Sequence, residues 1–116
     1  MSGLLNRSAF LLRPHAPYLA WAKQDDDERN IAESVFQSLR ERPQVFLLPE
    51  WVDPESQRAV LNEFWPALFE SMLEGWLLDA TLWPSDRTRE RFDEWFEVTI
   101  ISMIRDLNTD DPLGCW

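Results

Sequence analysis

Two short apolar runs bounded by proline stand in the first half of the chain. Residues 8–13 (SAFLLR) stop at Pro14, and residues 44–48 (QVFLL) lie between Pro43 and Pro49. Continuous apolar runs of this length, punctuated by proline, are typical of strands whose faces are covered. The pattern therefore predicts one short strand in each run.

The connection between the two runs has helical character. Pro17 is well placed for a first helical turn, and residues 29–40 carry apolar side chains at helical spacing. These side chains are Ile31, Val35, Phe36 and Leu39. The first half of the chain is therefore predicted to be a strand-helix-strand unit.

A long helix is predicted to follow from Asp53. Asp53 can cap a helix whose first position is Pro54, and apolar pairs then recur every four residues from 60 to 77. A period of four drifts around a helix of 3.6 residues per turn, so much of its circumference should be buried. Pro66, inside this helix, predicts a kink.

A second long helix is predicted after Pro84. Its apolar stripe consists of Phe92, Trp95, Phe96, Thr99, Ile100, Met103, Ile104 and Leu107. Val98 and Ile101 add a second strip, which should meet either another helix or another molecule. A competing interpretation makes residues 98–101 a strand, because β-branched residues favour strands, but the longer stripe favours a helix.

These elements define an α+β fold, predominantly helical, with two short strands and two long C-terminal helices. A single domain over 1–116 is expected, with an ordered core over about 6–108 and a mobile tail over 109–116. Two strands alone make a marginal sheet. Its edge must be covered by a helix, extended by another strand, or paired with a second copy in a homodimer.

The composition argues against several classes of partner. The chain is 45% hydrophobic and carries a net charge of −10, which argues against nucleic acid and against anionic membrane surfaces. One cysteine, Cys115, permits no internal disulfide and no structural zinc site, and favours a reducing cytoplasm. The acidic run at 25–28 lacks the alternate spacing and the glycine of a calcium loop. No metal and no cofactor are expected, and no apolar run is long enough for a signal peptide or a membrane span.

Candidate chemistry is sparse. There is no phosphate-binding glycine loop and no nucleophile elbow, and His15 is the only histidine. If the two strands were parallel, one end of the sheet would gather Arg13, His15, Glu50 and Asp53. His15 and Glu50 would then be the catalytic candidates. The alternative is that His15 is a loop residue, Glu50 a surface acid and Asp53 a helix cap.

The seven tryptophans are the strongest oddity of composition. Three of them are expected to fill the core, because they fall on the helical stripes: Trp65, Trp76 and Trp95. Trp51, two residues after Pro49, and Trp83, directly before Pro84, lie at element boundaries and are candidates for a pocket or an interface. Arg13, Trp83 and Arg87 are candidates for an anion site, against the simpler reading of solvated arginines. Trp51, Val98 and Ile101 are the interface candidates.

Four short motifs carry a resemblance. They are N-R-x-A at 6–9, V-x-L-x-P-E at 45–50, W-P-x-x-R at 83–87 and F-x-x-W-F-x-V at 92–98. With them the chain resembles, over roughly residues 6 to 107, a group of small uncharacterised proteobacterial proteins. The resemblance implies no particular activity.

The sequence favours a non-catalytic interaction protein that presents an acidic, tryptophan-rimmed surface to a protein partner or to a second copy. The alternative is a small enzyme or ligand-binding domain with an anion-binding polar cluster formed by Arg13, His15, Glu50 and Arg87. A third hypothesis, a mimic of nucleic acid, requires a continuous acidic ridge.

Overall fold

The computed structural model describes residues 3–4, 7–25, 31–49, 53–101 and 103–107 of an α+β fold. The strands within these ranges are β1 (Gly3–Leu4), β2 (Arg7–Pro14), β3 (Gln44–Pro49), β4 (Phe96–Ile101) and β5 (Arg105–Asp106). The α-helices are α1 (Ala16–Ala22), α2 (Ile31–Glu41), α3 (Pro54–Glu74) and α4 (Arg89–Trp95), with short 3-10 turns at Lys23–Asp25 and Ala80–Leu82. None of the described helices combines the length and the apolar character needed to cross a membrane.

The main sheet has three strands in the order β3-β2-β4, and both pairings are antiparallel. Phe10 of β2 pairs with Phe46 on one side and with Ile100 on the other. Because successive side chains of a strand point to opposite faces, this register gives the sheet an inner face, marked by the fully buried Phe10 and Leu12. β1 and β5 form a separate two-stranded antiparallel pair.

The core lies on the inner face of the sheet and is largely aromatic. Its aromatic members are Phe10, Tyr18, Trp21, Phe69, Phe92, Trp95 and Phe96. Phe69 of α3 is central, with ring centroids 5.4 Å from both Trp95 and Phe96. Tilted and edge-on contacts of this kind add to the stabilisation that comes from burial alone.

Both strands and one helix predicted for the first half of the chain have counterparts among the described elements, but the strand-helix-strand unit is not confirmed. The strands predicted at 8–13 and 44–48 correspond to β2 and β3. The helix predicted at 29–40 corresponds to α2, which begins at Ile31 in the described part of the chain. The described part of the connection holds two helices and a 3-10 turn, rather than one helix, and the strands run antiparallel.

α3 is the long helix expected from the apolar pairs. The Asp53 carboxylate accepts a hydrogen bond from the backbone N–H of Ser56 at 2.7 Å, which confirms the predicted cap. The same hydrogen bond lowers the pKa of Asp53. Pro66 lies inside the helix, and the kink expected there stays a prediction. The helix ends at Glu74, before the apolar stripe does.

The prediction of a second long C-terminal helix is wrong. α4 ends at Trp95, and residues 96–101, which were predicted to continue the helix, form β4. The physical reason is that a short apolar segment fits both periods, and here β2 offers a full antiparallel partner along 96–101. The competing interpretation of residues 98–101 as a strand is therefore correct. The expectation for the tail at 109–116 lies outside the described residues.

Tyr18 connects α1 to α3 inside the core. The residue is 2% exposed, and its hydroxyl donates a hydrogen bond of 2.9 Å to the carbonyl of Met72. Burial raises the pKa of Tyr18 to about 12, because the phenolate would lose its hydration.

This pKa predicts a loss of stability at alkaline pH. An unfolded tyrosine releases its proton near pH 10, whereas Tyr18 in the folded chain holds it to about pH 12. The contribution is therefore fully present below pH 10 and is lost as pH rises from 10 to 12, by roughly 2–3 kcal/mol in the free energy of unfolding. Tyr18 is the only tyrosine of the chain, so the ultraviolet absorbance of tyrosinate reports it directly.

The matched control is Tyr18→Phe, which keeps the ring and removes the titrating group. This variant should lose about 1 kcal/mol at neutral pH with the hydrogen bond, yet show a smaller further loss between pH 10 and 12. A tyrosinate signal that appears near pH 10 in the folded wild-type protein would contradict the assignment.

Candidate functional site: a tryptophan cleft

A cleft of about 500 Å³ opens between α1 and α4. Its lining, which defines the tryptophan cleft, comes from Pro17, Ala20 and Trp21 of α1, from Gln24, from residues 82–84, and from Arg91, Glu94 and Trp95 of α4. Three indoles and two proline rings thus face one opening. These rings share the lining with three polar side chains, those of Gln24, Arg91 and Glu94.

The floor of the cleft belongs to the core. Trp21 and Trp95 are both buried, and their ring centroids lie 6.2 Å apart. Tyr18 lies behind Trp21 at a centroid distance of 5.6 Å. Because these rings also pack against the core, they cannot reorient without disturbing it, so the floor is rigid.

The wall formed by residues 82–84 is fixed by indole hydrogen bonds. Trp21 Nε1 donates to the carbonyl of Leu82 at 3.1 Å, and Trp83 Nε1 donates to the carbonyl of Leu77 at 2.8 Å. Each bond joins the wall to a separate part of the chain. The segment between α3 and α4 is therefore held in place, although its only regular part is the 3-10 turn at Ala80–Leu82.

Arg87 supports the same wall. Its Nη1 donates to the carbonyl of Pro84 at 2.7 Å, its Nη2 lies 3.5 Å from Glu70 Oε1, and its Cζ lies 5.8 Å from the centre of the Trp83 ring. The guanidinium is occupied by these contacts and positions Trp83 through them. The anion-binding role of Arg87 stays a prediction, since the contacts explain the residue without an anion.

The rim of the cleft carries one uncompensated charge. Arg91 Nη2 lies 2.8 Å from Asp86 Oδ2, so the two charges offset each other. Glu94 is exposed, and no side chain among the described residues donates a hydrogen bond to it or forms an ion pair with it. Of the two charged residues that line the cleft, Arg91 and Glu94, only Glu94 therefore lacks an ion-pair partner among the described residues.

The polar cluster expected at one end of the sheet depended on parallel strands, and the strands are antiparallel. Pro49 pairs with Arg7, at the opposite end of β2 from His15. Asp53 is the cap of α3. Glu50 lies outside the described residues, so its own position is not assigned.

Arg13 and His15 have structural contacts. Arg13 Nε donates to the carbonyl of Arg40 at 3.2 Å, and its Nη1 lies 4.0 Å from Glu97 Oε1. The His15 backbone N–H donates to the carbonyl of Trp95 at 2.7 Å, while its side chain makes no capping hydrogen bond. The contacts of Arg13 and those of Arg87 share no residue.

The interface candidates that the structure describes do not share a surface. Trp51 lies outside the described residues. Strand alternation in β4 places Val98 on the inner face, half-buried against the core, and Ile101 on the opposite face, where it is 42% exposed. The strip that they formed on a helix therefore does not exist.

Ile101 belongs instead to the outer sheet face, which we define by Leu11, Val45, Leu47, Thr99 and Ile101. Val45 and Leu47 of β3 are 55% and 46% exposed. The face spans all three strands, because Leu11 of β2 pairs with Val45 on one side and with Thr99 on the other. It is a second apolar surface, separate from the cleft.

Comparison of the chain with protein-family models, curated proteins and solved structures finds no match. Within the described ranges, no group of three or more His, Cys, Asp or Glu side chains is arranged to hold a metal ion. The interpretation of the site therefore rests on its chemistry.

Sequence reasoning identified Trp83 as a site residue but missed Trp21, Trp95 and Glu94. Trp95 was assigned to the core alone, but it also lines the cleft. A usable signal was the pairing of a tryptophan with a nearby proline in two separate segments, Pro17 with Trp21 and Trp83 with Pro84. Their meeting in space could not be inferred from either segment.

The tryptophan hydrogen bonds predict that Trp→Phe substitutions at two positions lower the free energy of unfolding by different amounts. Trp83→Phe removes a donor that bonds Leu77, whereas Trp76→Phe removes a buried Nε1 that has no partner among the described residues. Both variants lose similar ring area, so Trp83→Phe should destabilise the fold by about 1 kcal/mol more than Trp76→Phe. Urea denaturation of the two variants measures the difference, and equal losses would contradict the assignment.

Proposed function

We propose that this protein is a non-catalytic interaction module that binds an extended apolar segment of a protein partner in the tryptophan cleft. The observation that carries the proposal is the convergence of Trp21, Trp83 and Trp95 with Pro17 and Pro84 on one opening. The occupant we propose is a short stretch of chain with proline or aliphatic side chains.

Aromatic and proline surfaces suit such an occupant. Grooves lined by aromatic rings bind extended proline-containing segments, because flat rings pack against flat pyrrolidine rings and the ligand has little conformational entropy to lose. A cleft of about 500 Å³ has the size of an ordinary ligand pocket and accommodates a few side chains. The rigid floor favours binding, since it leaves little to be ordered on association.

The titratable groups of the cleft support a binding role over a catalytic one. Arg91 is paired with Asp86, and Glu94 has no general acid or nucleophile beside it among the lining residues. A polar cluster of Arg13, His15, Glu50 and Arg87 remains the alternative function. It is less favoured, because both guanidinium groups already have partners within the protein.

The outer sheet face supports self-association as a second interaction. Two copies with a net charge of −10 repel each other over most of their surface. The strands themselves do not give the outer sheet face this acidic excess, since the charged residues that alternate to this face within β2, β3 and β4 are Arg7, Arg13 and Glu97. A second copy that packs sheet against sheet would cover the exposed Val45, Leu47 and Ile101.

The cleft is tested by filling it without disturbing the core. Ala20 is exposed on α1 and lines the cleft, so Ala20→Phe should place a ring in the opening and leave the fold intact. Peptides selected by the wild-type protein from a random displayed library should lose at least about tenfold in affinity for this variant, measured by isothermal titration.

Ala16→Phe is the matched control, because Ala16 is an exposed residue of the same helix that does not line the cleft. It should bind the selected peptides as the wild type does. The proposal fails if the library yields no specific peptide, or if the selected peptides bind Ala20→Phe unchanged.

Self-association is tested by placing a charge on the outer sheet face. Leu47→Lys should convert a concentration-dependent dimer to monomer in sedimentation equilibrium, because two copies of a new charge would be buried together. Leu78→Lys changes another leucine, 81% exposed and outside the sheet, and should leave the dimer intact. A wild-type protein that is monomeric at high micromolar concentration would exclude the dimer.

A further inference from the structure

We infer that Glu94 makes the tryptophan cleft selective for segments in which a basic side chain lies next to the apolar residues. This inference rests on the proposed function and names the chemistry of the partner. It makes Glu94 a specificity-determining residue, while the indoles supply most of the contact area.

The first reason is the position and freedom of Glu94. It lies on α4 directly before Trp95, is exposed, and lines the opening. No described side chain pairs with it, whereas the neighbouring charge on Arg91 is already offset by Asp86 at 2.8 Å. A cation that enters the cleft can therefore form an ion pair with the Glu94 carboxylate without displacing another partner.

The second reason is the surrounding aromatic surface. Cations are attracted to the faces of indole rings, and a carboxylate beside such a ring strengthens this attraction. The protein already uses the interaction once at the same wall, where the Arg87 guanidinium lies 5.8 Å from the centre of the Trp83 ring. A basic side chain of the partner would make the same kind of contact from the open side.

The third reason is the charge of the whole molecule. A net charge of −10 attracts basic segments and repels acidic ones before contact is made. Long-range attraction alone depends on the net charge and would change little if one acidic residue were moved to another position on the surface. The inference is narrower, because it assigns the selectivity to one carboxylate at the cleft.

The experiment compares selections from one random displayed peptide library on three proteins: the wild type, Glu94→Lys and Glu63→Lys. Glu63 is an exposed residue of α3 that does not line the cleft, so its substitution changes the net charge equally. Wild-type and Glu63→Lys selections should be enriched in lysine and arginine beside apolar residues. The Glu94→Lys selection should lose this enrichment.

Affinities then give the size of the effect. A selected peptide and its twin with the basic residue changed to glutamine are titrated against the wild type and Glu94→Gln. The change in the peptide should cost roughly 5- to 10-fold on the wild type and less than about 2-fold on Glu94→Gln, as expected for a local charge pair beside an aromatic ring.

The outcomes separate the two proposals. Selected peptides that lose affinity for Ala20→Phe but show no basic enrichment would overturn the inference and leave the binding function standing. An equal loss of enrichment in Glu63→Lys and Glu94→Lys would also overturn it, since net charge alone would then explain the selection. Failure to select any peptide that depends on the cleft would overturn the binding function itself.

Discussion

The pairing of β2 on both of its edges determines the positions of the other elements. β2 carries the most buried residues of the sheet, and β3 and β4 satisfy its backbone groups on either side. The ladder with β4 continues past the strand, where the His15 N–H donates to the carbonyl of Trp95. That bond joins the start of α1 to the end of α4. The two helices that form the cleft are therefore held at a separation that the sheet determines.

The same indole rings belong to the core and to the cleft. Trp21 and Trp95 pack among the buried aromatic residues and also form the floor of the opening. Under the proposed function, stability and recognition are thus linked, because a substitution that reshapes the floor also removes core packing. Residues on the rim, such as Ala20 and Glu94, are free of this constraint. Changes in specificity are accordingly expected at the rim and not at the floor.

Local signals in the sequence were sufficient where one segment determines its own structure. The prolines delimited β2 and β3, and Asp53 located the start of α3. They failed at residues 96–101, where both periods fit and the decision depends on β2, far away in the sequence. The strand direction was open for the same reason, so the polar cluster had no firm basis. The cleft was still harder to predict from the sequence, because it brings together α1, residues 82–84 and α4. Of its residues, only Trp83 had a local sequence signal for partial exposure.

The span of the β2–β4 pairing also determines when the fold can be completed. Arg13 and Thr99, which share a hydrogen bond across this pair, are 86 positions apart in the chain. Loop closure over such a distance is slow compared with local helix formation. During synthesis, β2 leaves the ribosome long before β4 exists, so it can pair with β3 but keeps one edge open. β4 is the last strand of the main sheet to be made. Its pairing with β2 completes that sheet and brings the end of α4 to the start of α1, so the cleft can form only after β4 has been synthesised.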